Sequence, residues 1–378
     1  MSGIGLIIPI MPEYLGTFNI PTGQTLGFLI AMFSFSQFIF SPISGDLSDK
    51  HGRKNLIIVG LFIFGLSQLA FGLSTQLWML YTARFFSGLG AAFLVPPTMA
   101  FVADITTVEE RGKGMGLLGA SMSLGFMIGP AIGGALSKVS LAFPFYFATG
   151  AALTAALISI FALPNLPPQA AAEPGTKKMR ENLFQQLKRS TATPYFIMFI
   201  IMFVFSFGLA NFQSTISLYL DGKFDYTPPQ IAAVITVGGF VGVIAQTFIV
   251  NPLFKRFGEM RVILVNLVIA AIGMLWILFV NSFTMIIIVC MVFFTATALL
   301  RPAVNTLVSK LAGDEQGFAA GMITAYMSLG NMIGPALAGV LFDVNMKTPY
   351  IIGAILLLIG FAISLFWSKR SSELLSHL

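Results

Sequence analysis

About twelve apolar runs follow one another along this 378-residue chain, separated only by short polar breaks, and no other feature narrows the possible folds as much. Most of the runs are roughly 18 to 25 residues long, which is the length of helix that crosses the hydrocarbon core of a bilayer. A soluble protein of this size would alternate polar and apolar faces instead. The runs lie at about 2–17, 25–44, 55–73, 77–103, 113–136, 143–163, 194–220, 229–251, 261–280, 283–308, 317–342 and 348–367. Charged residues make up only 10% of the chain, against about 25% in an ordinary soluble domain. The expected class is an all-α integral membrane protein.

The first run differs from the others. Only about fifteen residues precede the polar stretch at Thr17, whereas a crossing helix takes about 20. Pro9 and Pro12 interrupt it and no small-residue cleavage site follows, which argues against a signal peptide. The expectation is a first helix truncated by a misplaced start, with the native frame adding about ten to twenty residues upstream.

A net charge of +6 raises nucleic acid as a partner, but that reading needs a basic patch on a soluble face. Here the charges are sorted by side. If the loop at Gly45–Lys54 is cytoplasmic, sixteen of the 21 Lys and Arg fall on that side, while only Lys138, Lys223 and Lys347 fall outside. Arg84 and Arg301 lie within spans. The positive-inside bias therefore predicts a multi-pass protein of the inner membrane with both chain ends cytoplasmic. The single cysteine, Cys290, excludes an intrachain disulfide, and two histidines, His51 and His377, give no support to metal or haem chemistry. No cofactor is expected.

The chain repeats itself. Ser123–Gly134 (SLGFMIGPAIGG) returns as Ser328–Gly339 (SLGNMIGPALAG), a shift of 205 positions that also pairs Pro97 with Pro302, Glu109 with Asp314, Glu110 with Glu315, Gly112 with Gly317 and Gly116 with Gly321. A shift of 206 sets Leu47 and Gly52 against Leu253 and Gly258. Six helices thus repeat as six in the same orientation. Parallel repeats of this kind hold a substrate near the bilayer midplane and work by alternating access. The predicted domains are 1–163, a first six-helix bundle; 164–193, a cytoplasmic linker; 194–368, a second bundle; and 369–378, a cytoplasmic tail. In the linker, Pro164, Pro167, Pro168 and Pro174 are followed by basic residues among which Met179, Leu183, Phe184 and Leu187 can form one apolar helix face. Either a helix on the anionic leaflet or a disordered basic linker fits.

Three stretches carry motifs. Gly45-Asp-Leu-Ser-Asp-Lys-His-Gly-Arg-Lys54 combines turn-forming Gly45 and Gly52 with an acid, Asp49, able to face a helix N-terminus, and a base, Arg53, able to reach Asp104 at the end of the fourth span. A latch of Gly45, Asp49, Gly52, Arg53 and Asp104 is expected, with Asp49 near Gly317. Arg84 sits in the fourth span, where an arginine is costly unless it meets water or an acid; it either snorkels to the surface or lines a hydrated cavity. Gly125, Gly129, Pro130, Gly133 and Gly134 in the fifth span allow backbone-to-backbone packing, and Pro130 removes a helix hydrogen bond to Phe126.

Together these stretches resemble the drug-exporting, proton-antiporting branch of the major facilitator superfamily. Segments such as Phe35–Pro42, Arg301-Pro-Ala, Gln316-Gly-Phe-Ala and Gly330–Pro335 look like the Gram-positive multidrug exporters of the NorA and Bmr type. The resemblance implies a non-enzymatic monomer that exchanges an amphiphilic small molecule for protons across the lipid bilayer, with Gln37, Arg84, Gln213 and Asn331 at the drug cavity. It also exposes a departure. That family usually carries an acid on helix 7 and another on helix 10, where this chain has Gln213 and Ala298. A buried cation needs a carboxylate partner, so neutral, zwitterionic or anionic amphiphiles fit better than cations, and a lipid or glycolipid flippase or a dedicated metabolite exporter stands as the alternative. An integral-membrane enzyme finds no support: no span holds a His or a pair of carboxylates. Glu13 is the one acid left over when the other fourteen are assigned to the two surfaces. Either it is an ordinary interfacial acid in water, or, pairing with Arg84, it would release a proton to form the pair and regain one when the pair opens.

Overall fold

In the hydrocarbon layer water cannot satisfy backbone N–H and C=O groups, so each apolar run must close its hydrogen bonds internally, as a helix does. The computed structural model describes residues 6–18, 20–107, 111–165 and 183–370, and these contain helices and no strand. In chain order they are α1 (Met11–Gly16, preceded by a 3-10 turn at Ile8–Ile10), α2 (Thr22–His51), α3 (Arg53–Gly72), α4 (Leu77–Ile105), α5 (Arg111–Leu136), α6 (Phe143–Ala162) and α7 (Leu183–Ser190). Then come α8 (Phe196–Phe224), α9 (Pro228–Ile244), α10 (Val250–Phe257), α11 (Glu259–Trp276), α12 (Phe283–Leu311), α13 (Gln316–Val344) and α14 (Thr348–Arg370). A π-helical turn at Ala245–Ile249 joins α9 to α10 in one rod.

Eleven segments among the described residues are long and apolar enough to cross a membrane. The first expected span is represented by the short α1. Most of the other helices run longer than the apolar runs suggest, those at Phe143–Ala162 and Glu259–Trp276 being exceptions. The segment from Gly45 to His51 reads as loop in the sequence, yet α2 continues through it and only Gly52 breaks the rod before α3. Polar residues end an apolar run without ending a helix, because their backbone bonds are the same.

The described residues cluster into two compact units. One comprises those within Met1–Ile20, Phe28–Arg180 and Tyr226–Ala232; the other comprises those within Pro21–Gly27, Glu181–Asp225 and Ala233–Leu378. In the first, α3 and α4 pack backbone to backbone: a Cβ on Gly60 would stand 2.9 Å from the Gly90 carbonyl, and one on Gly90 would stand 2.7 Å from the Phe64 nitrogen. A buried hydroxyl pair, Ser67 to Ser87 at 2.7 Å, joins the same two helices. In the second, α8 is largely buried, with Phe199, Phe207, Phe212 and Tyr219 in its core-facing surface. Gly330 and Gly334 of α13 lie against its backbone at Phe203 and Phe207. Large apolar side chains also face outward, among them Phe161 at 87% and Phe279 at 80% exposure. An apolar surface of that kind belongs in lipid.

Candidate functional site

Gly52 lies between α2 and α3 with φ +87° and ψ 136°, a conformation that a side chain resists. The reversal it makes starts α3 at Arg53, whose Nε lies 2.6 Å from Asp104 Oδ2 at the end of α4. The side chains are only 11% and 26% exposed, so solvent screens this pair less than a surface one. Gly45 does not share the role that the motif suggests. It lies inside α2, and among the described residues a Cβ there would meet nothing within 4 Å, so neither a turn nor a close approach to them requires it. The Asp49 side chain and the surroundings of Gly317 are outside the described residues.

The second unit contains a pair that sequence reasoning missed. Gly258 repeats the Gly52 geometry at φ +77°, and the helix that follows begins with Glu259, which binds Lys310 at 2.9 Å. The 206 shift carries Arg53 to Glu259, and the 205 shift carries Asp104 to Ser309, beside Lys310. The brace is therefore repeated with its charges exchanged. The signal is present in the internal repeat, but it lies in complementary charges and not in identical residues.

Arg84 is 6% exposed on α4. Its guanidinium carbon lies 4.8 Å from the centroid of the Phe71 ring, an attractive cation–π geometry, and its Nε has no hydrogen-bond partner among the described residues. Snorkelling to the surface is thus not what it does. The expected partner is elsewhere: Glu13 is exposed, and among the described residues no ion pair joins it to Arg84. The reason lies in α1, whose Tyr14 faces Phe71, stacking at 5.8 Å and donating its hydroxyl proton to the Phe71 carbonyl at 2.8 Å. Glu13 is one residue, about 100° of helix, away from that face.

Gln37 of α2 is half-buried in the first unit; Gln213 of α8 and Asn331 of α13 are half-buried in the second. None of the three amides has a side-chain hydrogen bond among the described residues, which leaves their donors and acceptors available. Ala298, where the resemblance expects an acid, packs toward Gly242 of α9. On α5, Gly129, Pro130, Gly133 and Gly134 are buried and Gly125 is half-buried. A Cβ on Gly133 would overlap the Leu6 carbonyl, and one on Gly134 would lie 3.1 Å from the Pro228 carbonyl.

The linker is helical over α7; Met179 is outside the described residues. In the last turn of α7, Arg189 forms an ion pair with Glu315 and lies 4.5 Å over the Phe318 ring, while Ser190 and Tyr326 share a hydroxyl bond at 3.0 Å. Tyr195 donates to Glu315 at 3.4 Å. Burial first, and the Glu315 charge next, raise the Tyr195 phenol above its ordinary range.

Comparison with known proteins agrees with the motifs and the helices. The chain is similar to Multidrug resistance protein 2 of Bacillus subtilis, at 41% identity over 98% of this chain and 93% of the relative. It is similar to Quinolone resistance protein NorA of Staphylococcus aureus, at 34% identity over 98% of this chain and 94% of the relative. Among solved structures, a bacterial homolog of the human lysosomal transporter Spinster matches with TM-score 0.75 at 16% identity, over 97% of this chain and 94% of that one, a likeness of fold. The family model described as Major Facilitator Superfamily matches residues 1–212 and 198–376. With its parallel six-helix repeats, its Gly52 turn and its glycine-lined α5, the chain belongs to that superfamily.

Proposed function

We propose that this protein is a secondary active exporter of amphiphilic drugs or related small molecules, working by proton antiport with alternating access. The observation that carries the reading is the near-full-length similarity to a Bacillus subtilis multidrug resistance protein. The charge distribution supports an orientation in the bacterial cytoplasmic membrane with both chain ends inside. The transporter works as a monomer of two bundles, 1–163 and 194–368, joined by the linker 164–193 and followed by the tail 369–378.

The residues proposed to meet the substrate are Gln37, Arg84, Gln213 and Asn331. They offer three free amides and one nearly buried cation, and Gln213 and Ala298 replace the acids expected by resemblance. Side chains of these kinds suit neutral, zwitterionic or anionic amphiphiles, because an anionic group offsets the desolvation of Arg84 and a cation finds no carboxylate among them. The same observation favours the second reading, a flippase for lipids or glycolipids or an exporter of one metabolite. The deciding experiment expresses the protein in an efflux-deficient cell and follows accumulation of a panel of cationic, zwitterionic and anionic drugs, with and without a protonophore. Lower accumulation of several unrelated drugs, reversed by the protonophore, is the expected result. Unchanged accumulation of all of them rejects drug export in favour of the second reading.

A further inference from the structure

An acid in the last turn of a helix opposes the negative end of the helix dipole. Asp343 occupies that place in α13, one residue before the end. Its carboxylate is used on a different helix. Oδ1 accepts the Gly23 N–H at 3.0 Å and Oδ2 accepts the Gln24 N–H at 2.7 Å. These are donors of the first turn of α2, which have no partner within their own helix, and they lie at its positive end. One carboxylate thus caps a helix some 320 residues away in the chain.

The backbone around the cap is packed as closely as backbone can be. A Cβ on Gly27 would overlap the Pro335 carbonyl, and a Cβ on Gly339 would overlap the Gly23 carbonyl. The seam therefore holds three glycines and one anion. Its repeat counterpart makes the comparison informative. The 205 shift takes Pro335 to Pro130 and Gly339 to Gly134, and Gly134 approaches the start of α9 at Pro228, Pro229 and Ala232 in the same close manner. The same shift takes Asp343 to Lys138, which is exposed. The start of α9 also offers little to an anion: Pro228 and Pro229 lack N–H groups, and the next two, Gln230 and Ile231, already bond to Thr227. Glycine packing is common to both seams, and the charged cap is built into one.

We propose that Asp343 is a positioning residue of the transport cycle, a clasp that holds the first turn of α2 to the end of α13 and sets how readily this side of the protein opens. This rests on the alternating-access reading above, in which these helix ends face outward, α2 belongs to the first repeat and α13 to the second. Release of substrate outward then requires both hydrogen bonds to part. The glycines let the helices meet, and the carboxylate decides how long they stay together.

The test uses the full chain in intact cells. Cys290, the chain's one cysteine, is buried, so a reporter introduced as Thr25→Cys, at a site 5% exposed beside the cap, is read by a membrane-impermeant thiol reagent added outside. Adding Asp343→Ala or Asp343→Asn is expected to speed labelling on the order of threefold to tenfold, the loss of two partly exposed bonds to a charged acceptor. Asp343→Glu, which keeps the charge, is expected to return the rate toward the parent. Unchanged labelling in Asp343→Ala, with the protein present in the membrane at parental level, overturns the proposal. So does equal acceleration by Ala and Glu, which assigns the effect to packing and not to charge. Labelling needs no exported drug, so a negative drug assay leaves this result independent.

Discussion

At the scale of single residues, charge is what this chain places with most economy. Arg53 and Asp104 form a largely shielded pair at 2.6 Å. Asp104→Lys is expected to impair export, and adding Arg53→Asp to recover part of it, with a coupling of roughly 0.5–3 kcal/mol. A double variant no better than the singles, in transport or in thermal stability, means that the pair is not coupled. Glu13 offers a sharper test, since the structure shows it exposed and apart from Arg84. If the pair forms at another stage of the cycle and carries the exchanged proton, Glu13→Gln removes the dependence of export on the proton gradient while substrate binding remains. Export in Glu13→Gln that still collapses when the gradient is dissipated leaves Glu13 as an ordinary interfacial acid and makes Asp104 the next to test.

At the scale of elements, the two glycines of the loop signature separate cleanly. Gly52 adopts a backbone that only glycine adopts without strain, whereas Gly45 is an interior helix position facing open space. Gly52→Ala is expected to cost about 1–3 kcal/mol. Gly45→Ala is expected to be neutral or to stabilise by up to about 1 kcal/mol, since alanine is the better helix former. Thermal unfolding of both variants in detergent checks this, and equal losses count against the assignment. The turn recurs at Gly258, again ahead of an ion pair, now Glu259 with Lys310. What the repeat preserves is a left-handed glycine followed by a charged brace; the sign of each charge is free to exchange, because attraction depends on the product of the two.

At the scale of the whole molecule, the repeat and the packing divide the chain differently. Sequence places every residue up to 163 in one bundle, yet Pro21–Gly27 clusters with the second unit and Tyr226–Ala232 with the first. Helix ends in tight glycine seams touch the neighbour they meet, whichever repeat encodes it. Much was legible beforehand: eleven of the twelve expected spans, the Gly52 turn, and the reach from Arg53 to Asp104. Apolar run length, internal repetition and glycine each act through backbone geometry that a linear pattern records. The orientation of Glu13 away from Arg84 and the use of Asp343 on another helix were not legible. They depend on which face of a helix meets which neighbour, and a residue's place in a span leaves its azimuth open. Sequence by itself determined a helical membrane protein of two parallel repeats, because solvent-free backbone admits no other closure for such runs. Tertiary structure alone decided that Glu13 stands apart from Arg84 and that Asp343 caps another helix, because such contacts need two groups within a few ångströms and helices distant in sequence come that close only once they are packed.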